Sequence, residues 1–272
     1  MNTKFLAPIP LGMIGGGQGA FIGAVHRMAA RLDQSFTLVA GALSSRPEVS
    51  LASAAALGIA SDRAYGTWQE MAKAEPERPD GIRAVAIVTP NHMHLAPALA
   101  FMRAGIHVIC DKPLSATLEE AEAFAAEAAT LPARFLLTHN YTGYPLIRQA
   151  RAMVAAGQLG ALRLVQVEYP QDWLATEVHS KQADWRTDPA RSGAGGSIGD
   201  IGTHAYNLAR FVTGLVPEAI SADLHSFVPG RAVDDNVNML LRFENGARGM
   251  LWASQVAVGH ENGLRLRVYG DR

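Results

Sequence analysis

The sequence predicts an α/β fold in which an N-terminal domain with a doubly wound parallel sheet precedes an α+β domain with a mostly antiparallel, open sheet. In the first half, apolar strand-like runs alternate with segments of helical spacing, which is typical of parallel sheets covered by helices on both faces. A glycine-rich turn follows the first of these runs. After about residue 143 the strand-like runs follow one another. Residues 1–143 are therefore assigned to the first domain and residues 144–272 to the second.

The first domain is predicted to alternate strands and helices along its length. Strands are expected at residues 9–14, 36–43, 82–88, 106–110 and 134–138, and helices at 20–32, 47–57, 92–104 and 117–129. In the first helix, apolar side chains recur at helical spacing at Phe21, Val25, Met28 and Leu32.

The second domain is predicted to contain fewer helices and more strands. Helices are expected at 146–156 and after Ser197, a polar loop at 171–192, and strands at 162–169, 220–228, 236–243, 247–258 and 264–269. Glu244-Asn245-Gly246 is a hairpin signal between two of these strands. The chain ends in Gly270-Asp271-Arg272, a turn signal with nothing after it, so we expect this domain to be incomplete at its C-terminus.

Composition excludes several classes of protein. The net charge is −1, which argues against nucleic acid or an anionic membrane as the main partner. The single cysteine, Cys110, excludes an intramolecular disulfide and fits a reducing compartment. Met1 to Pro10 lack the pattern of a signal peptide, and no apolar run is long enough to span a membrane. We therefore expect a cytoplasmic protein.

The turn at residues 15–20 is a candidate nucleotide site because it follows a strand and opens a helix. Glycines allow the backbone to approach a pyrophosphate, and the helix N-terminus offers N–H groups and a positive dipole end. The turn matches G-x-G-x-x-A, with Gly23 as an alternative third glycine in a longer loop. Methyltransferases and plain tight turns have similar patterns, but the alternating sheet favours nucleotide binding. The assigned residues are Gly15, Gly17, Gln18, Gly19, Ala20, Phe21 and Ile22.

The end of the second predicted strand distinguishes NAD from NADP. An acidic residue there would bind the ribose 2′-OH of NAD, but the chain has Ser44, Ser45 and Arg46. Two hydroxyls and an arginine could bind a 2′-phosphate, so NAD(P) is expected with a lean toward NADP. The alternative is that Arg46 is a solvated surface residue.

Further polar groups follow the third and fourth predicted strands, at the edge where open α/β sheets bind ligands. His92 and His94 invite a zinc interpretation, but no cysteine or acidic partner has ligand spacing, so no metal is expected. Lys112 precedes Pro113 and could polarise a substrate oxygen, although a surface lysine is the commoner case. The residues assigned to cofactor binding here are Thr89, Pro90, Asn91, His94, Asp111 and Lys112, together with Asn140 after the fifth predicted strand.

Asp200 and His204 are four residues apart and are expected on one face of a helix. His204 could accept the proton of a substrate hydroxyl, and Asp200 could orient the reacting oxygen. The alternatives are a capping box made by Ser197 and Asp200, and a satisfied core histidine. Tyr144, Trp185 and Arg186 are candidate substrate-binding residues, with packing for Trp185 and solvation for Arg186 as equal alternatives.

These motifs resemble the Gfo/Idh/MocA family of oxidoreductases along essentially the whole chain. The resemblance rests on the glycine turn, on residues 89–94, on Asp111-Lys112-Pro113, where the family usually has Glu-Lys-Pro, and on residues 195–204. It implies a Rossmann domain followed by an α/β domain whose open sheet often forms the oligomer interface. It also implies NAD(P)-dependent oxidation or reduction of a sugar, cyclitol or related hydroxy compound, with Lys112, Asp200 and His204 as the catalytic set.

The main hypothesis is therefore a dehydrogenase, acting on a polyol or sugar as a homo-oligomer. Either Lys112 or His204 could be the base, because the two could titrate as a coupled pair. A non-catalytic dinucleotide- or sugar-binding sensor on the same fold is the alternative. A methyltransferase is disfavoured because it leaves Lys112, Asp200 and His204 without a role.

Overall fold

The computed structural model describes residues 7–272, which divide into two compact units, one ending at Thr138 and the other beginning at His139. The domain boundary placed after residue 143 from the sequence stays a prediction. Residues 1–6, part of the N-terminal segment in which no signal peptide is expected, lie outside the described residues.

The first unit contains one parallel sheet with helices. Its strands are β1 (Ile9–Gly15), β2 (Phe36–Ala42), β3 (Ala84–Val88), β4 (His107–Cys110) and β5 (Phe135–Leu137). Its helices are α1 (Phe21–Leu32), α2 (Pro47–Ala56), α3 (Trp68–Ala74), α4 (Leu95–Arg103) and α5 (Leu118–Ala128). The strand order is β2-β1-β3-β4-β5, and every pairing is parallel. The parallel, doubly wound fold class is confirmed.

Helix α3 has no counterpart in the sequence analysis. Its start is a reciprocal capping box, in which the Glu70 amide donates to the Thr67 hydroxyl and the Glu70 carboxylate accepts the Thr67 amide. The Thr-x-x-Glu signal was therefore available in the sequence and was missed, because only seven residues of helix follow it.

The strands of the first unit end at one edge, where the sheet reverses its order. Gly15 of β1 is level with Val88 of β3, and Cys110 of β4 is level with Ile87 and Leu137. Strand β2 lies on one side of β1 and β3 on the other, so the loop after β1 is at a topological switch point. The core around this sheet is apolar and closed, and Cys110 is completely buried in it.

Helix α1 forms where its spacing predicts, but its apolar stripe is not part of the core. Phe21, Met28 and Leu32 are 65%, 60% and 80% exposed, whereas the buried residue of the helix is Gly23. A Cβ at Gly16 would lie 2.9 Å from the Gly23 Cα, so the helix approaches the glycine turn too closely for larger side chains. The same side of α1 presents Ile22 and Ala30 to the core.

The second unit is a five-stranded sheet with helices. Its strands are β6 (Leu164–Pro170), β7 (Pro217–His225), β8 (Asn236–Phe243), β9 (Arg248–Ser254) and β10 (Arg265–Tyr269). Its helices are α6 (Pro145–Ala155), α7 (Lys181–Arg186), α8 (Pro189–Ser192) and α9 (Thr203–Thr213), and a π-helical turn at Ile198–Gly202 leads into α9. The strand order is β10-β6-β9-β8-β7, in which β6 and β9 are parallel and the other pairs antiparallel. The mostly antiparallel sheet is confirmed.

The polar loop expected at residues 171–192 was wrong in part, because it contains two short helices. The Ser180 hydroxyl accepts the Ala183 amide at the start of α7, and the Asp188 carboxylate accepts the Ala190 amide at the start of α8. Both are ordinary N-caps. Each helix is too short for hydrophobic periodicity to show.

Alternate residues of the second sheet separate a buried face from an exposed one. Val237, Leu241 and Leu251 are buried on the face that packs against α9, while Leu240 and Met250 on the other face are exposed. Within residues 7–272, we find no helix that combines the length and the apolar character needed to cross a membrane.

Candidate active site

The turn after β1 has the backbone of a phosphate cradle. Gly15, Gly16 and Gly19 have φ values of +76°, +74° and +73°, in the left-handed region that glycine adopts without strain. A Cβ at Gly15 would lie 2.8 Å from the Val88 carbonyl oxygen, and one at Gly17 would lie 2.7 Å from the Leu43 carbonyl oxygen. The turn is therefore packed on the protein side, whereas a Cβ at Gly19 would meet nothing within 4 Å.

Two backbone amides of this turn form hydrogen bonds within the protein. The Gly17 amide donates to the Leu43 carbonyl and the Gln18 amide to the Ser53 hydroxyl, so both hold the turn itself. Helix α1 begins at Phe21 without a side-chain cap at Ala20. Gly23, the alternative third glycine of the sequence motif, packs closely against Gly16, because a Cβ at Gly23 would clash with the Gly16 Cα. These features fit the pyrophosphate of a dinucleotide at the start of α1.

The residues after β2 lie at the surface. Ser45 and Arg46 are exposed, and the Ser44 hydroxyl accepts the Arg46 amide at 3.2 Å, which shapes the turn before α2. The Arg46 side chain is 72% exposed, and its Nε is 3.7 Å from a carboxylate oxygen of Glu48. This side chain is available to a ligand and has an acidic neighbour.

His94 links the loops that follow β3 and β4. Its ring is completely buried, with Nδ1 2.8 Å from the Pro113 carbonyl oxygen and Nε2 2.9 Å from the Thr89 carbonyl oxygen. Burial lowers the pKa of His94, although both carbonyls oppose this. A neutral ring carries one N–H, so His94 donates to one of these two carbonyls at a time. Both ring nitrogens are turned to the loops beside Thr89 and Lys112, and His94 offers the cofactor no exposed atom.

Asp111 and Lys112 follow β4 at the same sheet edge. The Thr138 hydroxyl donates to the Asp111 carboxylate at 2.9 Å, and His26 Nε2 is 4.0 Å from the same oxygen. Burial opposes ionisation of Asp111, but the nearby His26 ring, the charge of Lys112 and the Thr138 hydroxyl together lower its pKa. Asp111 is therefore a carboxylate beside Lys112, which is half-buried and joined to Pro113 by a cis peptide bond.

Asp200 belongs to the second unit, in the π-helical turn, and two side chains hold its carboxylate. Arg186 Nε donates to Asp200 Oδ2 at 3.1 Å, and Gln255 Nε2 donates to the same oxygen at 2.9 Å. The Arg186 guanidinium also stacks on Trp185, with its carbon 4.3 Å from the ring centroid. The sequence-predicted residues Asp200, Arg186 and Trp185 are thus together, and Arg186 is not a freely solvated side chain.

The capping-box interpretation of Asp200 was wrong. The Ser197 hydroxyl donates to Asp234 Oδ2 at 2.6 Å and is not a cap for Asp200. Ser197 itself has helical backbone angles, and the Asp200 amide donates to the Gly196 carbonyl. The helical segment begins at Ser197 itself, and the Asp200 carboxylate is held by Arg186 and Gln255 instead of capping it.

His204 is buried on α9 among aromatic rings of the second unit. Its ring centroid lies 5.0 Å from that of Tyr141, 5.7 Å from that of His139 and 6.3 Å from that of Tyr169. The Tyr141 and Tyr169 hydroxyls are hydrogen-bonded to each other, and Tyr169 also donates to Asn262 Oδ1 at 2.7 Å. Burial, reinforced by Tyr141 and by the charge of Asp200, raises the pKa of Tyr169, so this hydroxyl stays protonated.

The other sequence candidates are placed less favourably. Asn140 begins a short 3-10 turn and is exposed. Tyr144 precedes α6, is 52% exposed and lines a mainly apolar cavity of about 480 Å³ within the second unit, together with Tyr141 and Asn262. Tyr144 therefore lies beside Tyr141, with ring centroids 5.9 Å apart.

Several side chains that hold this group were not predicted from the sequence. They are Tyr169, Asp234, Gln255 and Asn262. Most are far from Asp200 and His204 along the chain, and Gln255 is 55 residues from Asp200. Nothing in their local sequence identifies them, although Asp234 stands in the acidic pair Asp234-Asp235 before an apolar strand, a signal that could have been examined.

Comparison with known proteins gives consistent matches to both halves of the chain. The model of the oxidoreductase family with an NAD-binding Rossmann fold matches residues 9–139, and the model of the GFO/IDH/MocA C-terminal domain matches residues 147–272. The crystal structure of an oxidoreductase from Sinorhizobium meliloti is 56% identical, with a TM-score of 0.89, and the match covers 97% of this chain and 70% of that one.

Two further relatives have more specific names. An inositol dehydrogenase homolog from Azotobacter vinelandii, solved with NADH and myo-inositol, is 38% identical with a TM-score of 0.91, over 97% of this chain and 69% of that one. The levoglucosan dehydrogenase of Pseudarthrobacter phenanthrenivorans is 30% identical over 96% of this chain and 71% of its own length. The chain belongs to the Gfo/Idh/MocA family and is an NAD-binding oxidoreductase.

Proposed function

We propose that this oxidoreductase moves a hydride between nicotinamide and a sugar, a cyclitol or a related hydroxy or carbonyl compound. The observation that carries this proposal is the Asp200 carboxylate, fixed by Arg186 and Gln255 one turn before His204. A cap or a surface acid would not need two side-chain donors from distant parts of the chain. A carboxylate and an imidazole held in this way are suited to bind and deprotonate a hydroxyl group.

The proposed catalytic residues are Lys112, Asp200 and His204. His204 accepts the proton of the substrate hydroxyl, Lys112 polarises the same oxygen, and Asp200 accepts a hydrogen bond that orients the substrate. The nicotinamide ring, when bound, supplies the hydride acceptor. Oxidation of the alcohol thus yields a carbonyl compound, a reduced nicotinamide and one proton, which leaves through His204 or Lys112.

The substrate class draws on the relatives. One relative is named for inositol and was solved with myo-inositol, and another is named for levoglucosan. Both compounds are cyclic and carry several hydroxyl groups. The donors and acceptors around Asp200 and His204 suit such a compound, so we propose a polyol or sugar as the substrate.

The cofactor proposal retains the lean to NADP at the end of β2. Ser44, Ser45 and the exposed Arg46 support a 2′-phosphate, whereas Glu48 beside Arg46 and the relative solved with NADH support NAD. Binding of NADH and NADPH to the same preparation distinguishes the two.

We also propose that the chain forms a homo-oligomer through the exposed face of the second sheet. Leu240, Met250 and Trp252 share this face with Arg242 and Arg248, because strand neighbours two residues apart point to the same side. A mixed apolar and charged sheet face is a suitable subunit interface. A cytoplasmic location stays a prediction.

The test begins with titration of the purified chain with NADH and with NADPH, followed by tryptophan fluorescence. The cofactor that binds is then offered, in oxidised form, with myo-inositol, levoglucosan and a panel of aldoses while formation of reduced nicotinamide is followed. Turnover of a cyclic polyol or sugar supports the proposal. Tight cofactor binding with no turnover of any of these would support the non-catalytic sensor, and binding of neither cofactor would contradict both.

A further inference from the structure

We infer that Asp234 is a positioning residue that sets the place of Asp200 and His204. This inference rests on the proposed function, because it concerns the same catalytic groups. Asp234 is 8% exposed and lies just before β8, far along the chain from residues 196–198, which it contacts.

Asp234 receives hydrogen bonds from three consecutive residues at the start of the helical segment. Its Oδ1 accepts the Gly196 amide at 2.7 Å, and its Oδ2 accepts the Ser197 hydroxyl at 2.6 Å and the Ile198 amide at 2.9 Å. Its main-chain carbonyl accepts the Ser197 amide at 2.8 Å. Hydrogen bonds to a carboxylate are about twice as strong as neutral ones, so this is a firm attachment.

This set of hydrogen bonds lies at the start of the helical segment that carries Asp200 and, further along, His204. The first amides of a helix have no partner within it, and here a buried carboxylate from another segment supplies their acceptor. Asp200 follows Ile198 by two residues, and its amide already bonds to the Gly196 carbonyl. A shift at Gly196 or Ile198 would therefore move Asp200 and, through the continuous helix, His204.

The glycine at position 196 is explained by the same contact. A Cβ there would lie 2.8 Å from Val233 Cγ2 and closer still to the Asp234 carbonyl oxygen. Only glycine permits the two segments to approach closely enough for the hydrogen bonds to form. The hydrogen bonds of Asp234 to residues 196–198 therefore depend on a glycine at position 196.

Asp235, the next residue, provides a matched control. It is also buried, and its carboxylate accepts the Phe227 and Val228 amides and is paired with Arg231 at 3.1 Å. These groups belong to the loop after β7, so removal of the Asp235 charge destabilises a neighbouring segment without touching the helical turn of Asp200.

Two serine substitutions disturb the structure less than the aspartate substitutions, so they test the inference even if an aspartate variant fails to fold. Ser197→Ala removes one of the donors to Asp234 and leaves both amides. Ser226→Ala removes a hydroxyl that donates to the Val233 carbonyl, one residue before Asp234. The two substitutions are chemically identical, and only the first alters the attachment.

The experiment measures kcat and the Kd for NADH in the full chain carrying Asp234→Asn, Asp235→Asn, Ser197→Ala or Ser226→Ala. We expect kcat to fall about 10²-fold in Asp234→Asn and about tenfold in Ser197→Ala. We expect both control variants to stay within about threefold of the parent kcat, and all four to keep the parent Kd for NADH within about twofold. Equal losses of kcat in Asp234→Asn and Asp235→Asn would overturn the inference.

A second readout does not depend on turnover. The His204 ring resonances are assigned by their loss in His204→Asn, and the titration of this ring is then compared in the four variants. We expect the His204 titration to change in Asp234→Asn and Ser197→Ala only. An unchanged titration in Asp234→Asn overturns the inference, even if no substrate has been found, whereas failure of the proposed function would show as NADH binding without turnover in the parent chain.

Discussion

Lys112 and His204 have different parts in the proposed proton transfer, so their removal tests the mechanism residue by residue. We expect Lys112→Ala and His204→Ala each to lower kcat by at least ~10²-fold, because each removes a group that acts on the reacting oxygen. Circular dichroism checks that the variants fold, and single-turnover kinetics separate chemistry from product release. Near-parental turnover in either variant would contradict the assignment of that residue.

Substitution of Arg46 tests the preference for NADP or NAD at a position that does not contribute to the stability of the fold. Its side chain is 72% exposed, so Arg46→Ala should leave stability unchanged. If Arg46 binds a 2′-phosphate, the Kd for NADPH rises about tenfold and that for NADH stays the same. Glu48→Gln is the companion variant, which should tighten NADPH binding by removing the nearby negative charge. Equal Kd values for NADPH in Arg46→Ala and the parent would make Arg46 a plain surface residue.

At this scale, the sequence points to the proposed catalytic residues more readily than to the residues that hold them. Asp200 and His204 stand out because their spacing is local. Gln255, which donates to Asp200, is 55 residues away and has no signature of its own. The two roles open to Asp200 in the sequence, cap or site residue, could be separated only by the contact that Ser197 makes with Asp234.

At the scale of elements, His94 makes the loops after β3 and β4 sensitive to pH. Burial lowers its pKa from the usual 6.5, so the folded state keeps the ring neutral while the unfolded state takes up a proton below about pH 6.5. The stability from the neutral ring is therefore present above that pH and is lost as the pH falls toward the folded-state pKa. We expect the protection of amides in β3 and β4, corrected for their intrinsic exchange rate, to fall as the pH drops below about 6.5, and this fall to disappear in His94→Asn.

The pKa of Asp111 is also lowered in the folded state, but it affects stability in a lower pH range than His94, so the two effects can be separated. Its pKa is lowered in the folded state, so its contribution is complete above about pH 4 and is lost below it. A loss of corrected protection confined to that lower range, identical in the parent and in His94→Asn, would contradict the assignment to His94.

The elements themselves were predictable wherever periodicity was long and local. The five strands of the first unit fall where apolar runs predict them. The central strand β3 is buried along its whole length, and the edge strand β5 is still predicted although its Leu136 is 54% exposed. Short helices such as α7 and α8 were missed, since four to six residues show no period. In α1 the period located the helix, while the close packing of Gly23 leaves the apolar stripe that includes Phe21 and Leu32 exposed.

At the scale of the whole molecule, the proposed assembly depends on the exposed sheet face. Leu240 is 67% exposed on that face, so Leu240→Asp should leave the fold intact and weaken association of the sheet with a second copy. Light scattering coupled to size exclusion should then show a lower mass at equal concentration. Leu118→Asp, at a site on α5 that is 68% exposed, is the matched control and should keep the parental mass. Equal masses in all three proteins would exclude this face as the interface.

The buried Cys110 gives the molecule a built-in chemical reporter. Its thiol is the only one in the chain, it is fully enclosed at the end of β4, and burial raises its pKa, so both access and thiolate formation require the sheet to open. Alkylation by an excess of reagent therefore counts opening events two residues from Lys112. Because a ligand that binds only the closed form suppresses opening by mass action, saturating dinucleotide should slow alkylation by at least about tenfold. Unchanged alkylation at saturation would place the dinucleotide away from this strand end.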